Sequence, residues 1–338
     1  MPLDIFFFLV GLVLAGLTLR DVFDTVVVPG GSRTSLRVAH RLRVILLPLW
    51  KSLRGRRHGI SGAFAPVILV GSFVLWMTFL ALGFGLMAYA ARFHFHPPLS
   101  SFGEAVYLVG SSLVTVGLSQ TNPAGAGRWV VLAAGFCGLG VMTMAVTYLL
   151  EVQASIARRD TGIIKLNTSA GEPPSALSLL ERFAAIRNKH ELLDVLQEGR
   201  DWCATVRQSH SAHPSLVYFQ SVGIGPGWPA ALGALLDLAL IMELIVDDER
   251  LYGPAVLLGA EGVRMARELA AVIGLKPVDS PPQEAELREL VPRLSGSGYT
   301  LRDEPDFSTM AQRRAEYVSC VDAIAEHLGK ATAVLIRR

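Results

Sequence analysis

Three stretches of this chain are nearly free of charge over the length of a bilayer crossing, and the rest must fit around them. Leu3 to Leu19 is apolar apart from Asp4, and Val26 to Val28 extend it past Arg20, Asp21 and Asp24. Ile60 to Ala91 carries no charge, and neither does Trp129 to Leu150. A helix of roughly 20 residues crosses a hydrocarbon core about 30 Å thick, so each stretch predicts a transmembrane helix. A signal peptide is the alternative for the first. The absence of Lys or Arg before the run, and of a small-residue cleavage site after it, favours a retained span.

Charge divides the chain in two. Of 31 Lys and Arg and 29 Asp and Glu, residues 1–150 hold 11 and 4, leaving 20 and 25 for residues 151–338. An apolar, basic membrane part is therefore followed by a mildly acidic part of ordinary soluble composition. The whole is 51% hydrophobic and 18% charged, with a mean hydropathy of +0.42. Cys137, Cys203 and Cys320 are scattered without CxxC spacing, which argues against a disulfide framework or a zinc site.

Between the first two runs lie Arg33, Arg37, Arg41, Arg43, Lys51, Arg54, Arg56 and Arg57, with no acidic residue from Thr25 to Gly103. Basic excess marks the cytoplasmic side. The expected topology places the N-terminus outside a cell (inner) membrane and residues 153–338 in the cytoplasm. Leu36, Leu42, Ile45, Leu46, Leu49, Trp50 and Leu53 give the basic segment an apolar side, so residues 32–59 read as an interfacial helix on anionic membrane lipids. A voltage sensor is the sharper alternative, but the arginines keep no every-third register and Pro48 interrupts them. Arg20 and Asp24 stand four apart and can pair. A helix-end ion pair is the plain reading, and a buried gating contact with Asp21 is the functional one.

The link between the second and third spans is Pro97 to Gly127, whose only charge is Glu104. A surface loop of this length is normally polar. Phe102, Val106, Val109 and Leu113 recur at helical spacing, Ser100 or Ser101 can cap, and Glu104 falls in the first turn. The segment Ser111-Ser-Leu-Val-Thr-Val-Gly-Leu-Ser-Gln-Thr-Asn-Pro-Ala-Gly then turns back. Irregular backbone at membrane depth survives only when buried in protein or lining a watery path, so the stretch from Thr115 to Ser119 is placed on a pore axis.

The stretch VTVGLSQ resembles the selectivity filter of the potassium-channel superfamily, whose usual pattern is TVGYG followed by Asp. The order span, pore helix, filter, span is also shared, over about sixty residues. The resemblance implies a homotetramer in which each of four copies contributes one filter strand, with carbonyl oxygens replacing the hydration shell of the ion. It places those oxygens on Thr115, Val116, Gly117 and Leu118, continuing into Ser119. Tyr107 falls where the family often packs an aromatic beside the filter, and Ser111 and Gln120 are expected filter supports. Potassium or sodium ions bound in the filter are the expected ligands, with no other cofactor. Three departures weaken the outer half: Ser119 replaces a glycine and would pay about 1–2 kcal/mol for a left-handed conformation, Leu118 lacks the tyrosine hydroxyl, and Gln120 removes a ring of negative charge. The expectation is cation permeation that includes potassium, with discrimination against sodium in doubt.

Gly135, Gly138 and Gly140 lie on the inner helix, read over 128–158. Gly138 or Gly140 reads as a gate hinge or as a place of close packing against the pore helix. Met142 and Val146, with Ala145 and Leu149, are candidates for a hydrophobic constriction. His94 and His96 before Pro97-Pro98 suit a solvated turret better than a metal or pH sensor.

The fold expected is an all-α membrane protein. Residues 1–31 form the first helix, and 60–159 form the pore domain (outer helix 60–92, pore helix 101–114, filter 115–120). Residues 160–175 form a linker, and 176–338 an all-α cytoplasmic domain with helices near 175–188, 190–208, 214–222, 229–246, 254–273, 282–295 and 308–336. Ala230 to Val246 reads as a buried core helix rather than a fourth span, because Asp237 and Glu243 interrupt it. Gly223-Ile-Gly-Pro-Gly resembles the start of a dinucleotide motif, but Pro226 and Trp228 follow and no strand precedes it. Asp247-Asp248-Glu249 reads as a solvated helix end, and His210 and His213 as weak metal candidates. No catalytic constellation stands out, so an enzyme is not expected, and no basic stripe suits nucleic acid. The expected partners are further copies of the chain, membrane lipids and monovalent cations. A non-conducting membrane sensor or scaffold is the alternative function, and a transporter with internal repeats a weaker third.

Overall fold

The computed structural model describes residues 2–28, 37–54, 58–220, 225–277, 281 and 283–337. Arg33, Arg56, Arg57 and the first two residues of Gly223-Ile-Gly-Pro-Gly lie outside them. The described residues divide into two compact units, Met1–Val152 and Gln153–Arg338.

The first unit contains α1 (Pro2–Val26), α2 (Val38–Arg54), α3 (His58–Ala90), β1 (Phe95–His96), α4 (Phe102–Leu113), β2 (Asn122–Pro123) and most of α5 (Gly125–Ala170). Three of these helices, α1, α5 and the Gly62–Ala90 part of α3, are long and apolar enough to cross a membrane. Glycine lets α1 and α3 meet backbone to backbone: a Cβ on Gly11 would lie 2.4 Å from the Gly83 carbonyl oxygen. Such close approach is how helices gain packing where lipid offers no hydrophobic drive. Arg92, just beyond α3, pairs with Asp4 of α1. The one acid in the first apolar run is thus tied to the far end of the next helix. Leu80 and Phe84 of α3, Leu108, Val109 and Leu113 of α4, and Val130, Ala134 and Val141 of α5 form a common core.

The unit departs from an all-helical expectation in one small way. Phe95 pairs antiparallel with Pro123 and His96 with Asn122. This two-residue ladder fastens the chain leaving α3 to the chain entering α5.

The second unit contains α6 (Ala176–Ala185), α7 (Leu192–Ala212), α8 (Trp228–Leu244), α9 (Glu249–Val272), α10 (Glu284–Arg288), α11 (Leu290–Gly296) and α12 (Phe307–Leu328). Helix α8 is buried along its whole length and is packed by α6, α7, α9 and α12. A helix apolar on every side needs neighbours on every side, and here protein rather than lipid supplies them. Its two acids meet arginines of α12. Asp237 accepts from Arg314 Nε at 2.8 Å and from the Tyr317 hydroxyl at 2.6 Å. Glu243 takes a two-pronged bond from Arg313, at 2.6 and 2.8 Å.

Three sequence readings need correction. Residues 160–175 are not a linker for most of their length, since α5 runs on to Ala170. Thr161 and Thr168 return their hydroxyls to the Ala157 and Ile164 carbonyls, and Ile163, Leu166 and Ala170 are buried. The helix stops only at Gly171, with φ +82°. Likewise α12 ends at Leu328, where Gly329 adopts a left-handed cap, rather than continuing to 336. Residues 214–218 form a 3₁₀ turn instead of part of an α-helix.

Candidate ion-conducting site

The re-entrant segment starts from a well-capped helix. Ser101 accepts the Glu104 amide at 3.2 Å, and Glu104 reaches back to the Ser100 amide and hydroxyl, each at 2.8 Å. These reciprocal bonds satisfy amides that a helix start leaves open. The other Glu104 oxygen accepts from the Thr121 hydroxyl at 3.4 Å. One carboxylate thereby joins the chain entering the loop to the chain leaving it, a link that first-turn placement alone did not reveal.

At the other end of α4 the backbone reverses. The Thr115 amide donates to the Ser112 carbonyl at 3.0 Å. The Val116 and Gly117 amides both donate to the Ser111 carbonyl, at 2.8 and 3.1 Å. In a planar trans peptide the carbonyl opposes the amide N–H. The carbonyls of Val114, Thr115 and Val116 are therefore turned away from the end of α4. Positive φ at Thr115 (+60°) and Gly117 (+69°) achieves this reversal. Glycine adopts such a φ freely, whereas threonine is strained there by about 1–2 kcal/mol. Strain held by surrounding bonds is characteristic of functional backbone.

The outer half is built differently. The Leu118 carbonyl accepts the Ser111 hydroxyl at 3.0 Å, and that hydroxyl also lies 2.9 Å from the Leu108 carbonyl. The Leu118 carbonyl thus lies within reach of a side-chain hydroxyl that the Leu108 carbonyl also contacts. Ser119 is not left-handed either. Its hydroxyl accepts the Thr121 amide and donates to the Thr121 carbonyl, both at 2.9 Å. This local turn is one that serine makes and glycine cannot, so the penalty expected at Ser119 falls on Thr115. Gln120 is exposed. Tyr107 is 61% exposed in the single chain.

Gly138 of α5 sits against the turn from α4. A Cβ there would fall 2.0 Å from the Leu113 carbonyl oxygen and 2.7 Å from its Cα. Gly140 has open space around it. The helix is continuous through both, with Met142 half-buried and Val146 exposed.

Asp24 lies 3.9 Å from Arg20, with the arginine exposed and the carboxylate partly buried. The buried acid is Asp21, which accepts from Trp76 Nε1 at 2.8 Å and from the Val38 amide at 3.2 Å. That contact ties α1 to α3 and to the first residue of α2. Among the described residues, no group of three or more His, Cys, Asp or Glu could hold a metal ion.

A comparison with protein-family models matches residues 67–154 to a family described as an ion channel, Ion_trans_2. These residues form an ion-channel pore region. The match takes in most of the second span, α4, the reversed backbone after it and the first part of the third span. Comparison with curated proteins and with solved structures gave no match.

Proposed function

We propose that the chain assembles as a homotetrameric cation channel, permeable to potassium, with the pore axis beside residues 114–117. The observation that carries this reading is the gathering of three consecutive amides onto the end of α4, which turns the Val114, Thr115 and Val116 carbonyls together to the other side. Four copies would stack these into three rings of four oxygens, able to replace the water around a monovalent cation. The C-terminal end of α4 adds the negative end of its dipole. A second observation favours association of copies. Trp129, Leu132, Phe136, Leu139, Val146 and Leu150 of α5 are exposed in the single chain and, with Thr143 in line, keep alternating steps of three and four. That period is the seam of helices packing side by side.

In this reading the N-terminus lies outside an inner membrane and the C-terminal helical unit is cytoplasmic, where it assembles or regulates the pore. Because Leu118 stands where the family pattern has tyrosine and Gln120 where it has aspartate, selectivity for potassium over sodium is modest. Purified full-length protein in liposomes tests the proposal through potassium and sodium flux and subunit count. Flux that is cation-selective from a tetramer supports it. A dimer or monomer without flux leaves the membrane scaffold as the better account.

A further inference from the structure

The second unit holds a cleft of about 350 Å³ lined by residues of α8, α10, α12 and the segment after α12. Sites for small organic molecules start at roughly this size, about 300–1,000 Å³. One wall is a face of α12. Ala311, Ala315, Val318 and Asp322 recur at steps of four, three and four, which sets their side chains in one row. Arg314 and Val321 flank that row, and Asp237 of α8, Glu286 of α10 and Val334 complete the lining used below.

Among the described lining residues, three carboxylates meet one guanidinium. That guanidinium is already engaged. Arg314 Nε donates to Asp237 at 2.8 Å and Nη1 to Glu286 at 3.4 Å. The Tyr317 hydroxyl also donates to Asp237, at 2.6 Å. Asp322 is left over. It is partly buried, and no hydrogen bond from a described residue reaches its carboxylate. Burial raises its pKa, the Arg314 charge opposes that, and the Asp237 charge adds to it. The carboxylate is thus within electrostatic range of two groups that line the same cleft, in agreement with the face on which the helix sets it.

A carboxylate drawn partly out of water without a partner is costly. A guest that brings positive charge and N–H donors relieves the cost. A bare metal ion does not fit, because no group of three or more His, Cys, Asp or Glu among the described residues could hold one. An anion would meet excess negative charge. A quaternary ammonium wants an aromatic cage, whereas Tyr317 is the single ring in the described lining. A primary ammonium satisfies both the charge and the donor requirement.

We propose that this cleft binds a small aliphatic amine, its ammonium group paired with Asp322 and its carbon chain against Val318, Val321 and Val334. The site lies wholly within the second unit and is independent of the conducting reading of the pore.

Calorimetric titration of butylamine into the full-length protein in detergent tests the site. Butanol is the neutral isostere and magnesium chloride the metal alternative, all at equal ionic strength. Saturable binding of butylamine, with none of butanol, is expected. Absence of saturable butylamine binding overturns the proposal, and so does displacement of the amine by magnesium. Asp322→Asn keeps the shape and removes the charge, and should weaken butylamine binding at least about tenfold. Without ligand, that variant should unfold at the same temperature as the parent or higher, because an unpaired carboxylate has been removed. Glu198→Gln, which removes an exposed carboxylate elsewhere in the same unit, should leave the affinity unchanged. Equal butylamine affinity in Asp322→Asn would overturn the assignment. Should that variant fail to fold, the comparison of butylamine with butanol in the unaltered protein still decides.

Discussion

In the pore unit, the irregular backbone of residues 114–121 is held by main-chain amides, serine and threonine hydroxyls and one carboxylate at its outer end. In the C-terminal unit, the buried polar groups of α8 are held by formal charge pairs, Asp237 with Arg314 and Glu243 with Arg313. The first scheme leaves carbonyl oxygens available on one side without placing a competing side-chain charge beside them. The second closes a core and uses up its charges. A cation path needs the former, because a fixed cation near the oxygens would repel the ion they are to bind. The prediction that follows is that the two units respond to different perturbations.

The largest effect is expected at Gly138. An alanine there would drive its Cβ into the Leu113 backbone, which cannot rotate aside as a side chain can. Gly138→Ala should cost more than about 4 kcal/mol, the range reserved for overpacking that a core cannot relax. Loss of the assembled form on size exclusion in detergent is the expected outcome, while hydrogen exchange in α8 and α12 stays as before. Gly140→Ala, with open space around it, is the matched control. Equal damage from both would mean that helix bending, rather than close approach, is what glycine supplies on α5.

In the other unit, Asp237→Ala leaves Arg314 and the Tyr317 hydroxyl without their shared acceptor. Removing one partner of a buried pair typically costs about 3–5 kcal/mol. Arg314 keeps a longer contact with Glu286 at 3.4 Å, which places the expectation at the low end. Hydrogen exchange of the α8 and α12 amides should accelerate accordingly. Accelerated exchange in α4 to the same degree would erase the distinction between the units.

The pH response should divide the same way. His210 is fully buried, and burial first, then the Arg159 charge, depress its pKa to about 3. Above about pH 6.5 it is neutral in both native and unfolded chains, so it adds no slope. Between about 6.5 and 3 the unfolded chain binds a proton that the native state refuses. Stability therefore falls as pH falls, by about 1.4 kcal/mol per unit. His210→Gln should flatten the slope of α7 and α8 exchange between pH 6.5 and 5, before carboxylates titrate. An unchanged slope would mean that another group carries it.

How much of this was legible from sequence depends on whether the signal is local. The spans, the α4 cap at Ser101 and the turn after Leu113 follow from hydropathy and spacing within one segment. The pairings do not. Asp21 with Trp76, Ser111 with Leu118, Glu104 with Thr121 and Asp237 with Arg314 join faces that no periodicity relates. The end of α5 misled for a different reason. Asp160, Thr161, Gly162, Asn167 and Thr168 have the composition of a linker, but their helix propensities are only weak priors. Ile163, Leu166 and Ala170 bury a stripe that outweighs them. In residues 115–120, the resemblance assigned the backbone strain to Ser119. The hydroxyl of Ser119 makes its own turn, so the left-handed residue is Thr115 instead.

The smallest and most specific effect is expected at Ser111, whose carbonyl receives the Val116 and Gly117 amides and whose hydroxyl lies within hydrogen-bond distance of the Leu118 and Leu108 carbonyls. Ser111→Ala leaves the carbonyl and its two bonds in place and removes only the hydroxyl, at a cost of about 1 kcal/mol. Assembly should survive. The Leu118 peptide then loses the bond that turns its oxygen back towards α4 and is able to join the row formed by Val114, Thr115 and Val116. Potassium-to-sodium permeability ratios in liposomes should rise, because a further ring of carbonyls favours the ion that the stack is sized to strip. Leu118→Tyr with Ser119→Gly should move the ratio in the same direction by a separate route. If Ser111→Ala abolishes flux while leaving the tetramer intact, the hydroxyl is a support of the conducting loop rather than a restraint on it. The outer half would then be as much part of the ion path as the inner half.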